Sequence, residues 1–551
     1  MSVYSQIKLK RRYLALATAW ILLIATATHM AYSAYGFNPT DDGFTLAYAR
    51  RIIDGQVPHR DFIIIRPALS PLLHTPEIIL GGQWTYWLSR FIFFLQFACI
   101  SWFGTSFIRH RLNNSMTLPD QCIFAIISFT LGCHSFPVMA WHTIDGLFLC
   151  TLALHLHSVL SGRYRPLIYV LLGLAYLCKQ SFIFVAPGVL LISGDWRDWR
   201  NFIASSMPGI LYIGMLGLFG GVLDGWQQLF AQTGILRVGI ASYLNVHVLA
   251  GVITGITASI LLYRRVHDGK QQFESNCLLG GRTLIFGTLI MVTISLFFNS
   301  TTSTAFSLFG MVCGTTIYLF LRRDYRWCSV VQTGLIVALI AWSASLSLGY
   351  NTPALANGPL AVYLAGLAYE QAKKQRPHWF TRISITTMLF SIIAFHHTRM
   401  HHIYRDQPAK KLTASIGNIL PGGLSISTNP NTYAFLSDLN LAIENVLARG
   451  LEYAIVPAVA GHWPKAKQKN PLPIDWAQGT ELSSEALRNR VIQSILDRRD
   501  QQMIIVQKVK APSLASGFTP IDENDTFYFI VAYIRAHLEP IVATEFFEIY
   551  R

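Results

Sequence analysis

Asn38-Pro39-Thr40-Asp41-Asp42-Gly43 follows directly on the first long apolar run of the chain. It opens the stretch Phe37 to Gly82, and the reading of that stretch governs the reading of the rest. Two adjacent carboxylates stand there beside a glycine that leaves the backbone free to turn. A short helical pattern, Phe44 to Ile53, stops at Gly55; Pro58-His59-Arg60-Asp61-Phe62 and the apolar, proline-broken run Ile63 to Gly82 follow. A charged loop of this length between two membrane spans is costly to hold near lipid and rarely serves as mere connection.

Composition sets the class around it. Apolar residues make up 52% of the chain and charged ones 13%, against roughly 25% charged in soluble domains. Many apolar runs are about 17 to 22 residues long, enough to cross roughly 30 Å of hydrocarbon. The chain reads as a polytopic α-helical membrane protein seated in a lipid bilayer. The formal charge of +15 comes mainly from short basic clusters between apolar runs. That is the positive-inside pattern and argues against a nucleic-acid partner. All eight cysteines precede residue 330, most of them inside apolar runs, so no disulfide framework is expected.

Charge then orders the spans. Lys8, Lys10, Arg11 and Arg12 before Tyr13–Tyr35 predict an uncleaved first span with a cytoplasmic N-terminus. The loop 37–87 is then extracytoplasmic. Further spans are expected near 88–108, 120–138 and 144–160. Arg163 and Arg165, like Arg197 and Arg200, look cytoplasmic, so 167–193 reads as a hairpin of two short arms with Lys179-Gln180 at its tip. Each arm is about 18 Å long at roughly 1.5 Å per residue, short enough to require a thinned bilayer or a re-entrant pair. Spans near 202–222, 244–263, 282–298, 304–321, 329–348, 358–371 and 383–396 complete about thirteen crossings. Their basic turns are Arg264-Arg265, Arg322-Arg323 with Arg326, and Lys373-Lys374 with Arg376.

Residues 1–402 are thus a transmembrane domain, and 403–551 a polar α/β domain outside the membrane. In the latter, strand patterns at 424–428, 453–457, 503–509, 528–531 and 546–550 alternate with helical ones at 432–448 and 484–498. It reads as accessory, without a glycine-rich phosphate loop or a nucleophile elbow.

Asp41 and Asp42 admit two compatible roles. Asp42 suits a helix N-cap, since acids favour helix starts. Capping needs one carboxylate, and the other is available as a general base. Arg66, Lys179 and Arg237 are cations on the same side, suited to a phosphate; Arg66 could equally anchor at the interface by snorkelling. Arg60 and Asp61 could pair with each other or contact substrate. His142 and Asp145 share a helical face at i, i+3 and suit either substrate binding or the cap of a span. His396-His397 and His401-His402 lack the further ligand of a closed metal site, so no metal ligands are assigned; a divalent metal stays open.

Asp41-Asp42-Gly43-Phe44, Ala49-Arg50-Arg51-Ile52-Ile53-Asp54-Gly55-Gln56-Val57-Pro58, and Arg60-Asp61-Phe62 with Pro67 and Pro71 resemble the first outer loop of GT-C glycosyltransferases. More narrowly, they resemble the bacterial relatives of protein O-mannosyltransferases and of the lipid A aminoarabinose transferase. The motif-bearing likeness covers roughly residues 10–195. The family's His-Pro-Pro-Leu pattern is replaced here by Arg66-Pro67-Ala68-Leu69-Ser70-Pro71. Lys179-Gln180 resembles an arrangement in related transferases. The likeness implies a glycosyltransferase of the bacterial inner membrane, with a periplasmic active site and C-terminal domain. It further implies a polyprenyl-phosphate sugar donor, an envelope acceptor, and inversion at the anomeric carbon with Asp41, or alternatively Asp42, as base. A transporter is the competing class, but it would show internal repeats. A polyprenyl-diphosphate-dependent polymerase or ligase would carry an arginine-rich loop where Leu223–Tyr243 holds only Arg237.

Overall fold

The computed structural model describes residues 3–112, 116–134, 136–160, 162–232, 234–263, 271–322, 327–347, 351–371 and 378–551. The basic turns Arg264-Arg265, Arg323, Arg326, Lys373-Lys374 and Arg376 lie outside the described residues, as do the side chains of Lys8, Lys10, Arg11 and Arg12. The chain is a helical membrane protein. Against about thirteen expected crossings, seven described helices are long and apolar enough to span: Tyr13–Tyr32, Gly82–Arg111, Trp199–Leu218, Val246–Tyr263, Asn276–Phe297, Thr301–Leu321 and Trp379–His401. Shorter apolar helices, Leu118–Gly132, Gln180–Ser193 and Ser329–Ser345, pack among them. His142–Val159 is also helical and carries Asp145, His155 and His157.

The segment after Arg165 breaks at Lys179, whose backbone is extended between helices Arg165–Cys178 and Val185–Ser193. The chain returns to where it began: Asp195 Oδ2 accepts from Arg165 Nη1 at 2.7 Å and from Tyr169 Oη at 2.8 Å. The two feet meet and Lys179 stands at the turn.

The C-terminal segment forms an α/β unit. Strands β1 (Ala414–Ser415) and β2 (Ser427–Thr428) make a short antiparallel pair. Strands β3 (Glu452–Val456), β4 (Gln502–Gln507), β5 (Pro540–Ala543) and β6 (Phe547–Tyr550) form a sheet in the order β3-β4-β6-β5, with only β3 and β4 parallel. Side chains alternate across it as strand geometry requires. Ile455, Ile505 and Ile549 meet Phe435, Leu439 and Ile443 of helix Pro430–Leu447, whereas Val456, Ile504 and Tyr550 meet Leu487, Val491 and Ile495 of helix Glu485–Asp497. The strand expected at 528–531 is instead the start of helix Phe529–His537. Val531, Ile534 and Leu538 are buried at helical spacing there, a pattern that the short apolar run concealed.

Both faces of this sheet are completed by the first loop. Phe37, Leu46, Ile78 and Tyr86 enter one core and Ile63 and Ile65 the other. By packing, the loop and residues 403–551 are one body. Backbone meets backbone at Gly43, where an added Cβ would stand 2.2 Å from the Gly461 Cα. Backbone cannot yield as a side-chain tip can. Gly43→Ala is therefore expected to lower stability by about 1–3 kcal/mol, read as a fall in the thermal midpoint in detergent. An unchanged midpoint would refute the close packing.

Candidate active site at the first loop

The acidic pair opens helix Asp41–Ile53, and the two carboxylates diverge. Asn38 does the capping: its Oδ1 accepts from the backbone N–H groups of Thr40 and Asp41 at 3.1 and 2.9 Å. Asp42 reaches back, its Oδ2 accepting from Asn38 N at 2.8 Å. Its Oδ1 accepts from Arg90 Nη2 at 2.8 Å, and Arg90 also donates to the carbonyls of Ser33 and Gly36. Both oxygens of Asp42 are thus engaged in holding the loop.

Asp41 faces elsewhere. Its Oδ2 accepts from Tyr404 Oη at 2.9 Å and from Arg405 Nη1 at 2.8 Å. No described group donates to its Oδ1. Burial, the largest influence, and the charge of Asp42 push its pKa above the usual carboxylate range, while Arg405 and Tyr404 act in the opposite sense. Next along the chain, Asp406 accepts from Phe37 N, Thr428 Oγ1 and Asn429 Nδ2. Tyr404-Arg405-Asp406 thus fastens the exit of the last long helix to the start of the first loop. Sequence reasoning missed this triplet, although it is a charged cluster directly after a span, as Asp41-Asp42 is.

Tyr404 also lines a cleft together with Phe136, Met139, Trp141, Thr143, Lys179 and Leu355. Lys179 is buried, and its Nζ donates to Ala344 O at 3.0 Å. An ammonium carries three donors, so one carbonyl leaves it capacity to bind an anion. Trp141 packs against Phe44 and Phe136 at ring distances of 5.8 and 6.1 Å. A second, narrower cleft lies beyond Tyr404 and Pro137, lined by Tyr32, Tyr35, Asp42, Arg90, Arg399 and His402.

The other expected residues separate into groups. Arg66, Lys179 and His142 lie within electrostatic reach of one another. Arg66 stacks on Phe44 at 5.3 Å and donates to Glu481 Oε1 at 3.0 Å, so it is already partnered by the C-terminal unit. Burial, the largest influence, raises the pKa of Glu481, and Arg66 lowers it. Tyr48 Oη, Trp476 Nε1, Glu481 Oε2 and His142 Nδ1 are buried with no hydrogen-bond partner among the described residues.

Asp145 points away from His142 into a separate network. It accepts from Ser70 Oγ at 2.6 Å and Gln96 Nε2 at 2.6 Å, and it lies 3.1 Å from His74 Nε2. His74 Nδ1 lies 2.5 Å from Glu77. Burial alone would lower the His74 pKa, but Asp145 and Glu77 raise it to about 10. This buried cluster fastens the first loop to two helices.

Arg60 and Asp61 pair with each other at 2.8 Å near the surface. Arg237 is exposed on the short helix Ile235–Ala241. His397 and His401 stack at 4.2 Å while His396 Nδ1 pairs with Tyr32 Oη at 3.0 Å. Among the described residues no three His, Cys, Asp or Glu side chains converge as a metal-binding group. No family model, curated protein or solved structure matches the chain.

Proposed function

We propose that the chain transfers a sugar from a polyprenyl-phosphate donor to an acceptor hydroxyl, with inversion, at the periplasmic face of a bacterial inner membrane. One observation carries the reading. Tyr404, which donates to Asp41, lines the same aromatic-walled cleft as the buried Lys179. Lys179, an anion-binding cation, lines that space, and the proton acceptor Asp41 stands behind Tyr404 at its wall, the two groups that attack and departure at a glycosyl phosphate require.

The acceptor oxygen attacks the anomeric carbon while Asp41 Oδ1 takes its proton. The bond from that carbon to the phosphate oxygen breaks, and polyprenyl phosphate leaves with the electron pair and negative charge. Lys179 stabilises that charge, with Arg66 contributing when Glu481 releases it. Asp42, with both oxygens engaged, holds the loop.

Asp41 must be ionised to accept a proton, and its pKa is raised. The acid limb of kcat/KM against pH is therefore expected above about 4, the ordinary carboxylate value. Arg405→Gln removes an influence that lowers the pKa, so it should shift that limb further up. A limb that stays put would remove Asp41 from the rate equation.

The direct test uses purified protein in detergent with polyprenyl-phosphate sugars labelled in the sugar, each paired with lipid, polysaccharide and protein acceptors. The reading expects one donor to transfer its label and release polyprenyl phosphate. Binding or turnover of none of them would overturn it.

A further inference from the structure

Between helices Trp199–Leu218 and Val246–Tyr263 the chain forms two short helices, Val222–Leu229 and Ile235–Ala241. The first is amphipathic in the inverse of the usual sense. Its polar Gln228, 1% exposed, faces the protein, whereas Leu223 is 80% exposed, Trp226 66% and the following Phe230 57%. Gln228 Nε2 donates to His59 O at 2.8 Å, and its Oε1 accepts from Ile64 N at 2.9 Å. The second helix seats Gly239 against Leu346, and the adjoining Tyr243 pairs with Ser345 Oγ at 2.7 Å.

An apolar surface left this open has a matching environment beside it. At the ends of the two flanking long helices, Leu218 and Phe219 on one side and Leu244 and Val246 on the other are exposed apolar residues too. Large apolar side chains grouped on a surface mark an interaction site, and tryptophan is enriched where hydrocarbon meets water. A helix presenting such a face while lying outside the spans is a structure of the membrane interface.

We infer that residues 219–232 and 234–246 form a lipid-seated collar, with Leu223, Trp226, Phe230 and Leu244 buried in the interfacial layer of the bilayer. The collar's protein side grips the backbone around His59 and Ile64, close in sequence to Arg66. Ser345, its partner at the other end, adjoins the Ala344 carbonyl that holds Lys179. The collar thus fixes the level at which the Lys179 cleft meets lipid. This inference stands whether or not the chain transfers sugars.

Benzoylphenylalanine placed singly at Leu223, Trp226 and Phe230 of the full chain, reconstituted in phosphatidylethanolamine–phosphatidylglycerol vesicles and irradiated, tests it. The control position is Leu447, an exposed residue of the C-terminal unit. The expected product at the collar is the protein plus one phospholipid by mass, with no such shift at Leu447. Three positions guard against one variant failing to fold. A crosslinked dimer at the collar would overturn the proposal in favour of a second copy of the chain. Absence of lipid adducts at all three positions in folded protein would overturn it in favour of a water-exposed loop.

Discussion

Asp41→Asn is expected to retain the fold and donor binding while losing transfer by about 10²–10⁴-fold, the range of a removed general base. The asparagine keeps an oxygen for Tyr404 and Arg405, so the local hydrogen bonds survive in part while the proton acceptor is lost. Asp42→Asn tests the division of labour. Its carboxylate is the partner of the buried Arg90, with side chains 9% and 3% exposed. Breaking a buried pair by removing one partner costs about 3–5 kcal/mol, so Asp42→Asn should lower the thermal midpoint first and activity only in consequence. Measured rates and midpoints for both variants decide the matter. A fully active Asp41→Asn would end the proposed mechanism, and a stable but inactive Asp42→Asn would exchange the roles.

Arg51→Met is expected to loosen the C-terminal unit from the first loop. Arg51 grips Asp475 with both arms, Nε to Oδ2 at 2.6 Å and Nη2 to Oδ1 at 2.8 Å, and donates to Leu472 O as well. The side chains are 5% and 1% exposed. Without the guanidinium, Asp475 is a buried charge to which, among the described residues, only the Asn470 side chain donates, a loss of about 3–5 kcal/mol. The predicted readout is a lower midpoint and proteolytic release of a fragment beginning near residue 403. Combining Arg51→Met with Asp475→Leu should recover part of the loss, because the stranded charge is removed too. Resistance to protease equal to wild type in Arg51→Met would refute the clamp.

The helical membrane class and most long helices were legible in the sequence because hydrocarbon thickness imposes a minimum length on apolar runs. The turn at Lys179 was legible from the basic residues flanking 167–193. The acidic pair stood out because charge beside a span is costly. Its division of roles did not, since Tyr404 and Arg405 lie more than 360 residues away from Asp41. Glu481 stayed hidden for the same reason: an isolated acid in a polar segment carries no mark of the arginine it meets. Asn38 was readable as a cap in principle, but the adjacent carboxylates drew that role to Asp42. Strand β5 escaped because Pro540–Ala543 is short and exposed, with no alternation to reveal it.

The shared cores described above set a constraint on biogenesis. Phe37, Leu46, Ile63 and Tyr86 share their cores with residues from Ile416 onwards, which are made long after them. At about 5–20 residues per second the first loop waits on the order of tens of seconds, its apolar face uncovered, before Phe435 and Ile505 exist to cover it. Chains stopped short of residue 430 carry that face permanently and are marked for aggregation or degradation. The stretch after residue 403 therefore completes the first loop, and Arg405 reaches Asp41 only in a chain that has threaded every intervening helix.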